Sequence, residues 1–256
     1  LYSTEMASAL CSIDRVTASA NMSNRLSEAI VEAYKVTNGA PISFELMLKY
    51  YQARMKDANN DDSISSVLKQ LVNAHIFESE DKVSLIDDSY IIKMDGYPKD
   101  GPIAKAIVYF LMSKLNNIYE LLDKQAVYDE VVQIRHFSIS DEAHYMLDFD
   151  NRPLRNLIAV GRNKGLSIIL ATQNMSSFKS KGFDFYANAQ YPLIMKQQTI
   201  DDKVIKDLFG VSGQELQEIR TAIAGLQKGE LIIKDQMAFA LGMGNKYKKI
   251  NVTHLI

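Results

Sequence analysis

Residues 136–173, HFSISDEAHYMLDFDNRPLRNLIAVGRNKGLSIILATQ, decide the fold of this chain. The segment predicts a strand over 137–140, a helix that carries arginines, and a second, apolar strand over 166–171. Strands and helices alternate from residue 130 onward, which is typical of an α/β sheet covered by helices. We therefore predict the α/β fold class.

Polar side chains follow both of these strands at the point where each strand ends. Asp141 and Glu142 come directly after the first strand, and Thr172 and Gln173 come directly after the second. In open α/β sheets, ligands bind at the carboxyl ends of strands, so these four side chains are expected to converge on one edge.

This set of side chains matches what phosphoryl transfer requires. The reaction needs a carboxylate that holds Mg²⁺, a group that orients water, and an arginine that neutralises charge in the transition state. In the alternative interpretation, Asp141 and Glu142 are solvated acids that open a helix at Ala143, where the helix dipole favours them. The strand before them alternates apolar and polar residues, which indicates either an edge-like strand or a polar contact in the core.

Three short motifs carry a resemblance to a known family. DEAH at 141–144, GRNKG at 161–165 and ILATQ at 169–173 resemble the HerA/FtsK branch of P-loop ATPases. These are hexameric DNA pumps related to the motor ATPases of conjugation. Within the branch, the chain is most similar to the C-terminal ATPase region of DptH-type proteins of phosphorothioation-dependent DNA restriction. The resemblance covers about residues 83–256 and implies the C-terminal part of a RecA-like P-loop NTPase core.

The resemblance assigns roles to individual residues, with ATP and Mg²⁺ as cofactors. Asp141 corresponds to the Walker B aspartate, which holds Mg²⁺ through a coordinated water, and Glu142 then polarises the attacking water. Gln173 matches the polar sensor at the end of the neighbouring strand, beside the γ-phosphate. Thr172 is counted with the nucleotide-binding residues, although supporting the local backbone is its simpler role.

Two arginines are candidates for action across a subunit boundary. Arg155 and Arg162 are seven residues apart, so a continuous helix would place them on one face. In hexameric pumps of this branch an arginine reaches the neighbouring subunit's nucleotide, and such an arginine is worth about 10³–10⁵ in rate. The alternative for both is an ordinary solvated surface arginine. His144 either links the nucleotide state to DNA contacts or only packs beside the sheet.

The phosphate-binding loop of this class does not occur within the 256 residues. Such a loop ends in Gly-Lys-Ser/Thr, and its backbone N–H groups cradle the phosphates. The order Gly-Lys never occurs here, whereas the reverse order occurs at 164–165, 181–182 and 228–229. We therefore expect the loop to lie upstream of Leu1, and the chain alone to bind ATP weakly and to hydrolyse little of it.

The function implied by the resemblance is that of an ATP-driven DNA translocase or helicase-like motor. It would act on double-stranded DNA as a ring, with other subunits of a defence complex. Alternatives are a non-catalytic ATPase-like scaffold or DNA-binding subunit, and a conjugative DNA-transfer ATPase. A DEAH-box helicase is disfavoured, because Ala-Thr-Gln at 171–173 replaces its Ser-Ala-Thr motif. The loop around Lys179 and Lys181 is the candidate for DNA contact.

Composition limits how the chain can meet its partners. A net charge of −2 and a sequence pI of about 6.1 provide no global basic field, so DNA contacts must be local or assembled by several subunits. The single cysteine, Cys11, excludes an internal disulfide and suits the cytoplasm. No apolar run approaches the roughly 20 residues of a membrane-spanning helix, so no membrane contact is predicted.

The part of the chain before the motifs is predicted to be helical. Three apolar stripes at helical spacing lie within 24–72, the second of them capped by Ser43. With a hairpin within 76–86 they would form a winged-helix-like unit, and the alternative is a plain helical subdomain. We assign residues 1–80 to this subdomain or insertion, and 81–256 to the C-terminal part of the ATPase core.

Four further local predictions concern single elements. They are a strand at 90–93, a buried helix at 103–122, a capping box of Ser212 with Glu215, and a terminal hairpin of 230–234 with 238–241.

Overall fold

The computed structural model describes residues 2–13, 18–55, 61–76, 84–129, 131–180, 183–242 and 246–252. Helices and strands are mixed along the chain, so the predicted α/β class is confirmed. The chain forms two compact units. The first unit consists of Leu1–Ser138 and Tyr145–Ile169, and the second unit of Ile139–His144 and Leu170–Ile256.

The N-terminal part of the first unit is helical, and three of its helices contain the apolar stripes predicted within 24–72. Its helices are α1 (Tyr2–Ser12), α2 (Ala20–Val36), α3 (Phe44–Gln52), α4 (Ser63–Asn73) and α5 (Pro102–Leu121). Their apolar stripes meet in one core, which includes Leu26, Ile30, Met47, Leu68 and Tyr109. None of the helices in the described part of the chain is long and apolar enough to cross a membrane.

The starts of these helices are fixed by side-chain caps. Ser19 accepts a hydrogen bond from Met22 N, and Ser43 accepts one from Leu46 N, as the sequence predicts for Ser43. Each cap satisfies an N–H group that has no partner within its own helix.

Asp62 combines a cap with contacts to other helices. Its side chain and that of Ser65 form a reciprocal capping box at the start of α4. Its Oδ2 accepts hydrogen bonds from the Tyr51 hydroxyl at 2.6 Å and from Arg25 Nη1 at 3.3 Å. Burial, together with this carboxylate, raises the pKa of Tyr51 well above its usual range. One carboxylate thus connects α2, α3 and α4.

The segment between α4 and α5 differs from the predictions. Most of the hairpin predicted within 76–86 lies outside the described residues, so the winged-helix-like unit and the boundary near residue 80 stay predictions. The strand predicted at 90–93 is wrong, since the described residues 84–101 contain turns and bends and no strand. Ile91 is 89% exposed. Without a neighbouring strand to pair with, a short apolar run does not become one.

The first four strands after α5 form two pairs. Strands β1 (Val127–Tyr128) and β2 (Val131–Val132) pair antiparallel. Strands β3 (His136–Ser140) and β4 (Leu166–Leu170) form a second two-stranded sheet. Between β3 and β4 lie α6 (His144–Leu147), α7 (Arg152–Val160) and a 3₁₀ turn (Gly161–Lys164). This is the strand–helix–strand order that the sequence predicts.

The alternating pattern of β3 has an unexpected orientation. Its polar residues are half-buried, whereas Phe137 is 57% and Ile139 is 70% exposed. The Tyr119 hydroxyl on α5 lies 2.7 Å from His136 Nδ1, and burial lowers the pKa of this imidazole. His136, one of the polar residues in the alternating pattern, is therefore hydrogen-bonded to a side chain of α5.

Gly165 connects the 3₁₀ turn to β4 in a conformation that requires glycine. Its φ of +82° lies in the left-handed region, and a Cβ there would stand 2.7 Å from the Gln133 carbonyl oxygen. The glycine of the GRNKG motif thus allows two backbone segments of the first unit to approach closely.

The second unit contains the remaining elements. They are a second 3₁₀ turn (Met175–Phe178), β5 (Lys179–Ser180), β6 (Phe183–Asp184), α8 (Phe185–Asn188), β7 (Leu193–Met195), α9 (Asp202–Phe209), α10 (Gly213–Ala224), β8 (Glu230–Lys234), α11 (Gln236–Leu241) and β9 (Tyr247–Asn251). Strands β7, β8 and β9 form an antiparallel sheet in that order. Its core joins Ile194 and Ile232 to Ile205, Phe209 and Ile219 on α9 and α10.

The predicted terminal hairpin is wrong in its second strand. Strand β8 pairs with β9, whereas residues 236–241 form α11. Asp235 Oδ1 accepts a hydrogen bond from Met237 N, which starts a helix directly after β8. Ion pairs from Lys249 to Glu230 and from Lys248 to Asp235 span the β8–β9 pair, at 2.7 and 2.8 Å.

The capping box predicted for α10 is also wrong, although the helix itself ends at Ala224 as expected. The Ser212 side chain makes no capping hydrogen bond. The carboxylate of Glu215 instead lies 3.3 Å from Lys246 Nζ, immediately before β9. A contact distant in sequence has replaced the local one.

Candidate active site

The candidate site is built where β3 and β4 end. Arg135 N donates to the Gly165 carbonyl near the start of the pair, and Ala171 N donates to the Ser140 carbonyl at its end, so the two strands run in the same direction. Ala143 N then donates to the Ala171 carbonyl at 2.7 Å. This last bond fixes the segment after β3 against the end of β4.

Glu142 has a strained backbone. Its φ is +53°, in the left-handed region that costs an ordinary L-residue about 1–2 kcal/mol. Asp141 Oδ1 accepts a hydrogen bond from Glu142 N at 2.9 Å and so supports this conformation. Strain held in place by surrounding hydrogen bonds is a feature of functional sites, and here it falls on the predicted catalytic carboxylate.

The Glu142 carboxylate contacts side chains from both strand ends. Gln173 Nε2 donates to Glu142 Oε1 at 3.1 Å, and His144 Nε2 lies 3.8 Å from Glu142 Oε2. The Glu142 and His144 side chains are each about one-third exposed, at 32% and 33%. The structure therefore brings Asp141, Glu142 and Gln173 together, at a solvent-accessible place where a water molecule could be oriented.

Thr172 takes a different position from its neighbour Gln173. Its Oγ1 is buried and has no hydrogen-bond partner among the described residues. Among the described residues, therefore, this hydroxyl does not hold the backbone at the end of β4 through a hydrogen bond. A direct contact between Thr172 and nucleotide stays a prediction.

The predicted arginines belong to the first unit, whereas the carboxylate cluster belongs to the second. Arg155 lies on α7 and forms an ion pair with Asp150. Helix α7 ends at Val160, so Arg162 lies in the 3₁₀ turn, where it is exposed. The single helical face predicted for the two arginines is therefore wrong, and their action on a neighbouring subunit's nucleotide stays a prediction.

The acidic residues of the cluster fit Mg²⁺ better than a metal held entirely by protein. No group of three or more His, Cys, Asp or Glu side chains in the described residues is arranged to hold a metal ion. Magnesium in nucleotide sites uses one or two carboxylates and keeps several waters and phosphate oxygens. Asp141, exposed beside Glu142, meets this smaller requirement.

A cavity in the second unit is lined by Asn174, the residue that follows Gln173 in the sequence. It has a volume of about 720 Å³, and its lining includes Asn174, Thr199, Lys203 and Arg220. Arg220 Nη1 contacts both carboxylate oxygens of Asp202, at 3.1 and 3.2 Å. Sequence reasoning missed these residues, because they are brought together by α9 and α10 and not by a motif.

The proposed DNA-contacting lysine is engaged within the chain. Lys179 Nζ donates to Asp201 Oδ2 at 2.5 Å, and this hydrogen bond is the main cause that lowers the pKa of the Asp201 carboxyl. Lys181 lies outside the described residues. The contact of this loop with DNA stays a prediction.

Comparison with known proteins identifies the fold. No family model matches the sequence, and no curated protein matches it. Solved structures do match it. One of them is VirB4 of Thermoanaerobacter pseudethanolicus, with a TM-score of 0.68 and 17% identity, covering 98% of this chain and 68% of that one. The chain therefore has a VirB4-like α/β fold.

Proposed function

We propose that this chain is the C-terminal portion of an ATP-hydrolysing DNA motor of the HerA/FtsK and VirB4 type. The observation that carries the proposal is the Glu142 carboxylate, held in a strained conformation beside Asp141 and hydrogen-bonded to Gln173 from the next strand. The motifs and the fold shared with VirB4 support the same class.

Each residue of the cluster has a defined task in this proposal. Asp141 would hold Mg²⁺, in line with the Walker B aspartate of the family that the motifs resemble. Glu142 accepts a hydrogen bond from the attacking water and draws its proton away from the γ-phosphate. Gln173 orients that water or the γ-phosphate. Bound Mg²⁺ supplies neutralisation of the charge on the β- and γ-phosphate oxygens.

The phosphates also need a cradle that these 256 residues do not provide. No Gly-Lys-Ser/Thr sequence is present, so we assign the cradle to another segment of a longer parent polypeptide. On this basis the isolated chain binds ATP weakly. An arginine from a neighbouring subunit, with Arg162 of the GRNKG motif preferred over Arg155, would complete a ring-shaped assembly on double-stranded DNA.

Two biological settings are compatible with such a motor. The closer sequence resemblance favours a phosphorothioation-dependent restriction complex with further subunits. The fold shared with VirB4 favours a conjugative DNA-transfer motor. A non-catalytic scaffold or DNA-binding subunit is the competing function, and the missing Gly-Lys loop is the observation that favours it.

The decisive experiment measures ATP hydrolysis by the parent polypeptide with and without double-stranded DNA. We expect DNA to stimulate hydrolysis and Glu142→Gln to abolish it. Glu218→Gln, on an exposed position of α10, is the matched control and should retain wild-type activity. A wild type that binds DNA without hydrolysing ATP would establish the scaffold instead.

A further inference from the structure

His144 lies next to the proposed catalytic carboxylate but has no task in the mechanism above. It is the first residue of α6 and follows the buried Ala143. Its Nε2 is 3.8 Å from Glu142 Oε2, while Gln173 Nε2 is 3.1 Å from Glu142 Oε1. Each oxygen of the carboxylate thus faces a different side chain.

We propose that His144 is a positioning residue that fixes the plane of the Glu142 carboxylate; this inference rests on the proposed ATPase function. The terminal torsion of a glutamate side chain is broad, so contacts on both carboxylate oxygens restrict its rotation more than the Gln173 contact does by itself. An imidazole on the other side restricts that rotation. The carboxylate is then aimed at a single water position.

The distance specifies the kind of contact. A separation of 3.8 Å exceeds a direct hydrogen bond, so the imidazole acts on the carboxylate through one bridging water. Both side chains are accessible enough for such a water. A polar N–H group at this position is therefore the requirement, and an aromatic ring without one does not meet it.

The backbone around His144 gives the contact a fixed origin. Ala143 N is bonded to the Ala171 carbonyl, and Glu142 N is bonded to Asp141 Oδ1. Glu142 and His144 therefore start from main-chain positions that are held on both sides. A residue that only filled space would not need to face the carboxylate oxygen left by Gln173.

The test compares His144→Phe and His144→Gln in the parent polypeptide, with ATP hydrolysis as the readout. We expect His144→Phe to lower kcat about tenfold with little change in KM for ATP, because a misaimed catalytic group loses part of its rate advantage. His144→Gln keeps an N–H donor and should stay within about twofold of wild type. His75→Asn, at an exposed position in the turn that follows α4, is the control.

A double substitution tests whether the two partners act on the same carboxylate. In the proposed arrangement, His144→Phe combined with Gln173→Ala lowers kcat by less than the product of the two single effects, because residues that act as a unit are non-additive. Melting temperatures of all variants, measured on the 256-residue chain, separate positioning from folding.

The outcomes separate this inference from the proposed function. Wild-type kcat in His144→Phe, together with an inactive Glu142→Gln, would overturn the positioning role and leave the ATPase standing. Equal losses of kcat in His144→Phe and His144→Gln, matched by lower melting temperatures, would reduce His144 to packing. An inactive wild type would overturn both proposals.

Discussion

A comparison of Gly165 with Gly39 separates the energetic cost of a steric clash from the cost of a left-handed backbone conformation. Its φ of +82° is almost identical to the +83° of Gly39, and both glycines belong to the first unit. A Cβ at Gly165 would lie 2.7 Å from the Gln133 carbonyl oxygen and 2.9 Å from Gln125 Cγ, whereas a Cβ at Gly39 would meet nothing within 4 Å. Alanine at either position therefore has an unfavourable left-handed backbone, and only alanine at Gly165 also has a steric clash.

The expected magnitudes follow from these two costs. A left-handed conformation costs an L-residue about 1–2 kcal/mol, which applies to both Gly39→Ala and Gly165→Ala. Displacing a packed neighbour costs about 1–3 kcal/mol more, which applies only to Gly165→Ala. We expect a loss of unfolding free energy of about 1–2 kcal/mol at Gly39 and about 2–5 kcal/mol at Gly165.

Thermal unfolding followed by circular dichroism measures the difference. For a chain of this size, 1 kcal/mol corresponds to about 2–4 °C in Tm. Gly39→Ala should lower Tm by about 2–8 °C, and Gly165→Ala should lower it several degrees further. Equal shifts at the two positions would refute the close approach of Gly165 to the backbone at Gln133. No shift at either would refute the left-handed conformations.

Three other measurements test separate features. Asp62→Ala should lower the unfolding free energy in urea by about 2–4 kcal/mol, because it removes a cap and two hydrogen bonds to other helices. Asp61→Ala, which removes an exposed ion pair, should cost less than about 1 kcal/mol. Thr172→Val should be neutral or stabilising in the same assay, since the buried hydroxyl has no partner among the described residues; a clear loss would reveal a bond. The Asp201 carboxyl has a pKa below its ordinary 3.8, so it stabilises the chain above that pH and the contribution is lost as pH falls through the lower folded value. Lys179→Met should therefore make urea midpoints less dependent on pH below about pH 4, and an unchanged profile would contradict the ion pair.

The elements that were predictable from sequence are those whose signals are local. The stripes of α2, α3 and α4 repeat at helical spacing, and Ser43 stands where a cap is needed. The strand ends that carry Asp141 and Gln173 are equally local, because strand direction alone brings them to one edge. Both sets of predictions agree with the structure.

The elements that were mispredicted depend on a partner distant in the chain. Residues 238–241 have a composition that suits a strand, but β8 pairs with β9, and Asp235 starts a helix between them. Glu215 similarly contacts Lys246 in place of the local cap. The contact between His144 and Glu142 depends on the left-handed backbone conformation of Glu142. Apart from their separation of two residues, the sequence contains no signal that predicts this contact.

The interleaving of the two units has a consequence for synthesis on the ribosome. The residues of the first unit are all present once Ile169 has emerged, whereas the segment Ile139–His144 belongs to a unit whose remainder, Leu170–Ile256, is made later. Asp141 and Glu142 are therefore synthesised before the residues with which they pack. In a nascent chain stopped after Ile169, the helical core should resist protease, whereas the loop that contains Asp141 and Glu142 should be cleaved.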